Sequence, residues 1–369
     1  MSSTDSAIQP PSDQLRQGFD TAAAPSLAQV KAALESNPPF NERWRLYRTA
    51  AQIGGNDAAD LLAAALPAEK DAGIRYMTAS LLRDIAKAAP DASATAAQAV
   101  AKAATQETDA YARRSMELSL ADIAATAPAT TAIAAQALAA NLSKPSDTLT
   151  RSLQAGQLSD FVAAAPQTGA QILPAVITAF AQEKDKLAAH HLARTLTTIA
   201  HADATQRPAV IAAVMTALTT PPSQAHPLEK TFAAASALHS IGSHAPADVT
   251  QALAQHLTQG AAGDNARRLC ILGLGAFAEA DKDCAKTAAK ALLKALTTES
   301  DALHRRHIVD GVMKAVYNGF SSQSAGGAFY AHLNARERDR ETREKISRSL
   351  RQLGHKTPTT PMSIPAPKA

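Results

Sequence analysis

Apolar residues recur along this chain with two nested periods. Within a stretch such as Ala72 to Ala88, Ile74, Met77, Leu81, Leu82 and Ile85 fall on one stripe of a helix. Across stretches, the stripe itself returns every 38 residues. Leu82, Leu120, Leu158 and Leu196 form one series, Ile85, Ile123, Phe161 and Ile199 a second, and Val100, Leu138, Val176 and Val214 a third. Polar positions keep the same register, with Arg75, Arg113 and Arg151, then Asp84, Asp122 and Asp160. Pro90, Pro128 and Pro166 punctuate each unit. Proline ends one helix and suits the first turn of the next, so each unit is predicted to be a helix pair. The second member, about Ser93 to Thr105 in the first clear unit, is built mostly of alanine around Val100.

The pattern extends in both directions. Ser26-Leu-Ala-Gln29 reads as a capping box opening a helix to Glu35. Asn41 to Ile53 with Ala58 to Leu66 reads as a degenerate first pair. After an insertion at Pro221 to Pro227, His239 to Pro246 repeats the apolar-to-proline spacing. Arg267 to Ala280 with Thr287 to Leu296 makes another pair, and Gly273 and Gly275 inside its first helix predict a tight helix crossing. Ala302 to Tyr317 is a further helix, followed by turn-like residues 318–327 and one charged helix over 328–353. The expected organisation is an irregular segment 1–25, a repeat array 26–319, a loop and capping helix 320–354, and a Pro-rich disordered tail 355–369. One helix pair cannot bury its own apolar stripe, so stacking supplies the core. About seven pairs are expected.

Paired helices of this length, with interposed proline and recurrent Asp and Arg, resemble the HEAT-like repeats of armadillo-type proteins. The resemblance covers roughly Leu27 to Gly319 and departs from the pattern where Ala189 and Thr198 replace the repeated Arg and Asp. It implies an all-α, right-handed α-α superhelix that acts as a protein-binding scaffold, with the second helices lining a concave face. On those helices Gln98, Lys102, Gln136, Thr178, Gln182 and Thr216 become the candidate partner-binding residues. The likeness also embraces HEAT-like DNA glycosylases, which surround an extruded nucleotide with aromatic and acidic residues. Trp44, the only tryptophan, within Glu42-Arg-Trp-Arg-Leu-Tyr-Arg48, would centre such a site. Trp44 and Tyr47 anchoring the first helix pair is the simpler reading.

Composition sharpens the picture. Of 369 residues, 87 are alanine and 4% aromatic, which favours helix over strand. Charge is uneven: residues 301–369 hold 12 Lys/Arg against 6 Asp/Glu, and the first 300 hold 25 against 27. The net charge of +4 therefore belongs to the C-terminal segment. Nucleic-acid or anionic-surface binding is accordingly an alternative for the last helix, through Arg336, Arg340, Arg343, Arg348 and Arg351. Solvated ion pairs such as Glu344–Arg348 are the plainer account of that helix. Cys270 and Cys284 are expected to be reduced, packed thiols, and cytoplasmic residence is the default expectation. The opening residues lack the basic and apolar regions of a secretory signal, although a Ser/Thr-rich start also suits a non-cleaved one. No Gly-x-Ser-x-Gly, phosphate-loop or His-Glu-x-x-His pattern occurs, so no enzyme and no cofactor are expected. His304, His307 and Asp310 have helical spacing for a metal, but Arg305 and Arg306 oppose a cation there, and no metal site is expected.

Overall fold

The computed structural model describes residues 25–144, 147–220, 229–259, 263–335 and 337–355. The expectations for residues 1–24, for the insertion at 221–227 and for the tail from 356 onward lie outside these. All regular structure among the described residues is helical. Eighteen α-helices, numbered along the chain, alternate between two layers. One layer holds α2 (Phe40–Ile53), α4 (Ala72–Ala88), α6 (Ala110–Thr126), α8 (Thr148–Ala164), α10 (Lys186–Ala202), α12 (Glu229–Gly242), α14 (Asp264–Ala280), α16 (Ala302–Tyr317) and α18 (Arg340–Gln352). The other holds α1 (Leu27–Glu35), α3 (Gly55–Ala65), α5 (Ser93–Gln106), α7 (Thr131–Asn141), α9 (Gly169–Gln182), α11 (Arg207–Thr219), α13 (Pro246–Gln259), α15 (Lys282–Leu296) and α17 (Ser322–Ala335). Each helix packs chiefly on the next and the next but one. That neighbour-only pattern is an α-α solenoid of the HEAT-like kind.

The periodic apolar residues are its core. Leu82, Leu120, Leu158 and Leu196 are buried, as are Ile85, Ile123, Phe161 and Ile199, and so is the second-helix series from Val100 to Val214. Burying each such side chain contributes about 1.5–3 kcal/mol. The alanines do different work. Ala96, Ala97, Ala101, Ala103 and Ala104 on α5, with Ala134, Ala135 and Ala137 on α7, are all buried at the seams between second helices. Short side chains there let neighbouring helices approach, so the second layer is thin. The prolines at 90, 128 and 166 each open a short 3₁₀ turn that leads into the second helix, where a missing N–H leaves no carbonyl unpaired.

A polar brace ties the units together. Asp71, Asp109, Asp147, Asp185, Asp301 and Asp339 cap the first helices by accepting from a backbone N–H three residues on. Two residues before the cap stands a glutamate in most units, and four after it an arginine. Arg75 donates to Glu107 at 2.6 and 2.8 Å and to the carbonyls of Glu69 and Lys70 at 3.1 and 2.8 Å. Each such guanidinium thus fastens the link before its helix to the link after the pair. Arg305 repeats the arrangement with Glu337 at 2.8 and 2.9 Å and with the carbonyls of Glu299 and Ser300. Arg43–Glu69, Arg151–Glu183 and Arg267–Glu299 are further members. The arginine is absent at Ala189, as its sequence position requires, but the series resumes at Arg267, Arg305 and Arg343.

Two features of the C-terminal part differ from expectation. Residues 318–327 are not all turn: α17 begins at Ser322 and runs to Ala335. The single helix expected over 328–353 is divided, because Asp339 caps a new helix by accepting from Thr342 N at 2.8 Å. As a result α16 and α17 form an eighth complete pair where about seven were expected, and α18 stands as an unpaired first helix. The expected tight crossing at Gly275 is present. A Cβ built there would lie 3.2 Å from Gly311 Cα, so α14 and α16 meet backbone to backbone.

Candidate functional site

The second helices form one continuous layer, and the residues singled out from the sequence share its outward side. Gln98 and Lys102 on α5, Gln136 on α7, Thr178 and Gln182 on α9, and Thr216 on α11 are all exposed. Their chemistry is narrower than their types suggest. Thr178 and Thr216 donate their hydroxyls to Pro174 O at 2.9 Å and Ala212 O at 2.8 Å, one turn back on their own helices. Each retains acceptor capacity and a methyl group for a partner. Gln98, Gln136, Gln182 and Lys102 make no side-chain hydrogen bond or ion pair among the described residues, so their full capacity faces outward. Between these side chains stand Ala94, Ala140, Pro174 and Ala212, also exposed. The helices α5, α7, α9 and α11 contain no Asp or Glu.

The basic C-terminal residues divide by role. Arg343 is a brace arginine that donates to Glu337 O at 2.7 Å and Leu333 O at 3.3 Å. This corrects the expectation that it faces an external anion: its position four residues after the Asp339 cap turns it inward. Arg340, 92% exposed, pairs with Glu344 at 3.0 Å. Arg348 and Arg351 are exposed and unpaired among the described residues. Arg336 lies outside the described residues. Glu341, paired with Arg306, and Glu344 dilute the positive field of α18.

The other singled-out residues take structural places. Tyr47 is buried and Trp44 packs against the core, while Arg43 between α2 and the following link binds Glu69 and Pro38 O. Burial, then the nearby Glu69 carboxylate, pushes the Tyr47 phenol up from its ordinary value. His304 is buried, its Nδ1 3.6 Å from Glu299 and 3.7 Å from Asp264. Asp310 turns away from it to Lys345 at 2.5 Å. His239 and His244 are exposed, and His244 lies against His201 with ring centroids 3.9 Å apart. Cys270 and Cys284 are free and buried, and burial pushes the Cys270 thiol up to about 12.

Sequence reading missed two arrangements. One is a buried polar cluster between α6, α7 and α8. Glu117 accepts from Asn141 Nδ2 at 2.7 Å and Gln154 Nε2 at 3.0 Å, and Arg113 lies buried one turn before it. Burial raises the Glu117 pKa against the opposing effect of those donors. Beside this cluster α6 and α8 touch over less of their length than the neighbouring first helices do. A cleft of about 700 Å³ opens there, rimmed by exposed Leu118, Leu149 and Leu187. The other is a row of lysines on α15, Lys286, Lys290 and Lys294, whose four-residue spacing is plain in the sequence.

No helix among the described residues is long and apolar enough to cross a membrane. No protein-family model and no curated protein matches the sequence. Among solved structures, a mutant of Kap121p aligns over 88% of this chain and 37% of that one at 15% identity, with a TM-score of 0.41. Kap121p bound to Pho4p aligns over 88% and 36% at 14% identity and a TM-score of 0.38. A homology model of the full-length AP-3 complex aligns over 89% and 68% at 13% identity and a TM-score of 0.34. The chain spans little more than a third of the Kap121p length, and the likeness at this level is one of stacked helix pairs alone.

Proposed function

We propose that this chain is a non-catalytic protein-binding scaffold that holds a partner helix or peptide along its second-helix layer. The outward side of that layer supports the reading. From α5 to α11 it offers alanine, proline, threonine methyls and unengaged glutamine amides, with no carboxylate on those helices. Small residues admit a partner backbone closely. Gln98, Gln136 and Gln182 can each both donate to and accept from its peptide groups. On the described residues of α5, α7, α9 and α11 the charged side chains are Lys102, which has no ion pair, and Arg207, which pairs with Asp248.

The test places a photo-crosslinking amino acid singly at Gln98, Gln136 and Thr216, and at Asp84 on the first-helix layer as a comparison. Expected are adducts to one common protein from the three second-helix positions and not from Asp84. Adducts confined to Asp84, or three unrelated adducts, would refute the proposal.

A further inference from the structure

The outward side of α15 is unlike the rest of the second layer. Lys286, Lys290 and Lys294 are exposed and stand four residues apart, so a row of ammonium groups runs along one face with about 6 Å between neighbours. None of the three is in an ion pair or side-chain hydrogen bond among the described residues. Three other lysines are paired across units: Lys87 with Asp122 at 2.9 Å, Lys314 with Glu279 at 2.6 Å and Lys345 with Asp310 at 2.5 Å. All three of those lie on the first-helix layer.

What flanks the row is neutral. The exposed positions of α13 on one side include Gln251, Gln255 and Gln259, and those of α17 on the other include Tyr330 and Asn334. Asp248 is held by Arg207 at 3.1 Å, and Asp283 sits in the first turn of α15. Like charges four apart destabilise a helix by about 0.2–0.5 kcal/mol per pair. Asp283, three residues before Lys286, offsets part of this at one end, and α15 carries no other carboxylate beside Lys290 or Lys294. A face kept only for solubility mixes both signs.

We propose that this row is the electrostatic anchor for an acidic helical segment of a protein partner. Its carboxylates, four residues apart, would meet Lys286, Lys290 and Lys294 in register. The inference rests on the reading of the second-helix layer as a protein-binding face, and it supplies that face with a polarity. The partner's acidic end lies on α15 and its neutral end runs toward α5. Spacing favours an acidic helix over nucleic acid. Three lysines on a helix without arginine or aromatic residues lack the stacking and forked contacts that single strands require.

The experiment measures fluorescence anisotropy of labelled probes against the full chain at low salt. The probes are an 18-residue alanine-based helical peptide with Glu at every fourth position, its Glu→Gln counterpart, and a 20-nucleotide single-stranded DNA. Expected is saturable binding of the Glu peptide, none of the Gln peptide, and about tenfold weaker binding by the Lys286→Ala/Lys290→Ala/Lys294→Ala variant. That figure corresponds to about 0.5 kcal/mol for each exposed pair. Circular dichroism confirms that the variant keeps its helix content and melting temperature, as exposed positions allow. Undiminished peptide binding by that variant, no binding of the Glu peptide at all, or tighter lysine-dependent binding of the DNA, would overturn the proposal. Common adducts at Gln98 and Gln136 alongside any of these results would leave the scaffold reading standing and remove only the acidic anchor.

Discussion

The crossing of α14 and α16 at Gly275 and Gly311 makes a prediction with a built-in control. An alanine Cβ at Gly275 would sit 3.2 Å from Gly311 Cα, about 0.5 Å inside the separation that carbon atoms prefer. The obstacle is backbone, so relief requires the two helices to part. Overpacking of this kind costs about 1–3 kcal/mol, while alanine recovers up to about 1 kcal/mol of helix propensity. Gly275→Ala should therefore destabilise by roughly 0–2 kcal/mol, and Gly275→Leu by more. Gly327, inside α17, faces open space, with nothing within 4 Å of a built Cβ. Gly327→Ala should stabilise by about 0.5–1 kcal/mol. Urea unfolding followed by far-ultraviolet circular dichroism reads both. Equal stabilisation by the two alanines would mean that α14 and α16 do not touch at Gly275.

Three further outcomes follow from the braces and the core. Glu337, with a side chain 0% exposed, is held by Arg305, His332 Nε2 and Asp339 N, whereas Glu344 pairs with Arg340 in solvent. Glu337→Ala should cost about 3 kcal/mol in urea unfolding and Glu344→Ala under about 0.5 kcal/mol; similar values would sink the brace. Burial alone would raise the carboxyls of Glu107, Glu299 and Glu337. Their arginine and backbone donors nonetheless hold all three below the ordinary glutamate range, near 4.3. Their contribution is present above that value and is lost as pH falls through the depressed folded values, so melting temperature should drop steeply below about pH 4.3. Glu117, raised by burial, acts in the opposite sense, and Glu117→Gln should remove a stability loss that sets in as pH rises above the same range. Finally, Cys270 and Cys284 should resist a thiol reagent such as dithiobis-nitrobenzoate at neutral pH and react fully in denaturant.

The fold was legible because its main signal is local and repeated. Leu82 and its equivalents keep one register over four units, and helix limits such as Ala72–Ala88 and Ala302–Tyr317 coincide with the apolar stripes. The brace was legible only in part. Arg75, Arg113 and Arg151 stood out, but the positions 32 residues on read Glu107, Pro145 and Glu183, and that one substitution breaks the visible period. The caps at Asp71, Asp109, Asp147 and Asp185 are in perfect register, yet short polar residues between helices read as generic connection. The α17–α18 break was hidden by charge: Glu337-Arg338-Asp339 continues a helix-like run of ion pairs, and only the pairing of buried Glu337 with Arg305 shows why the chain turns there. The six candidate residues all lie exposed on the second-helix layer, but the engagement of the Thr178 and Thr216 hydroxyls with their own helices depends on rotamers that sequence does not display.

The loosened contact between α6 and α8 carries a mechanical consequence. Arg–Glu braces such as Arg75–Glu107 and Arg305–Glu337 resist shear between successive links, and between α6 and α8 the buried Glu117 accepts from Gln154. Neighbour-only packing means that strain applied at the two ends is carried in series, one interface after another. Among the first helices, α6 with α8 and α12 with α14 touch least, so the array is most compliant at those two junctions. End-to-end strain that parts α6 from α8 would open the cleft beside Leu118 and Leu149.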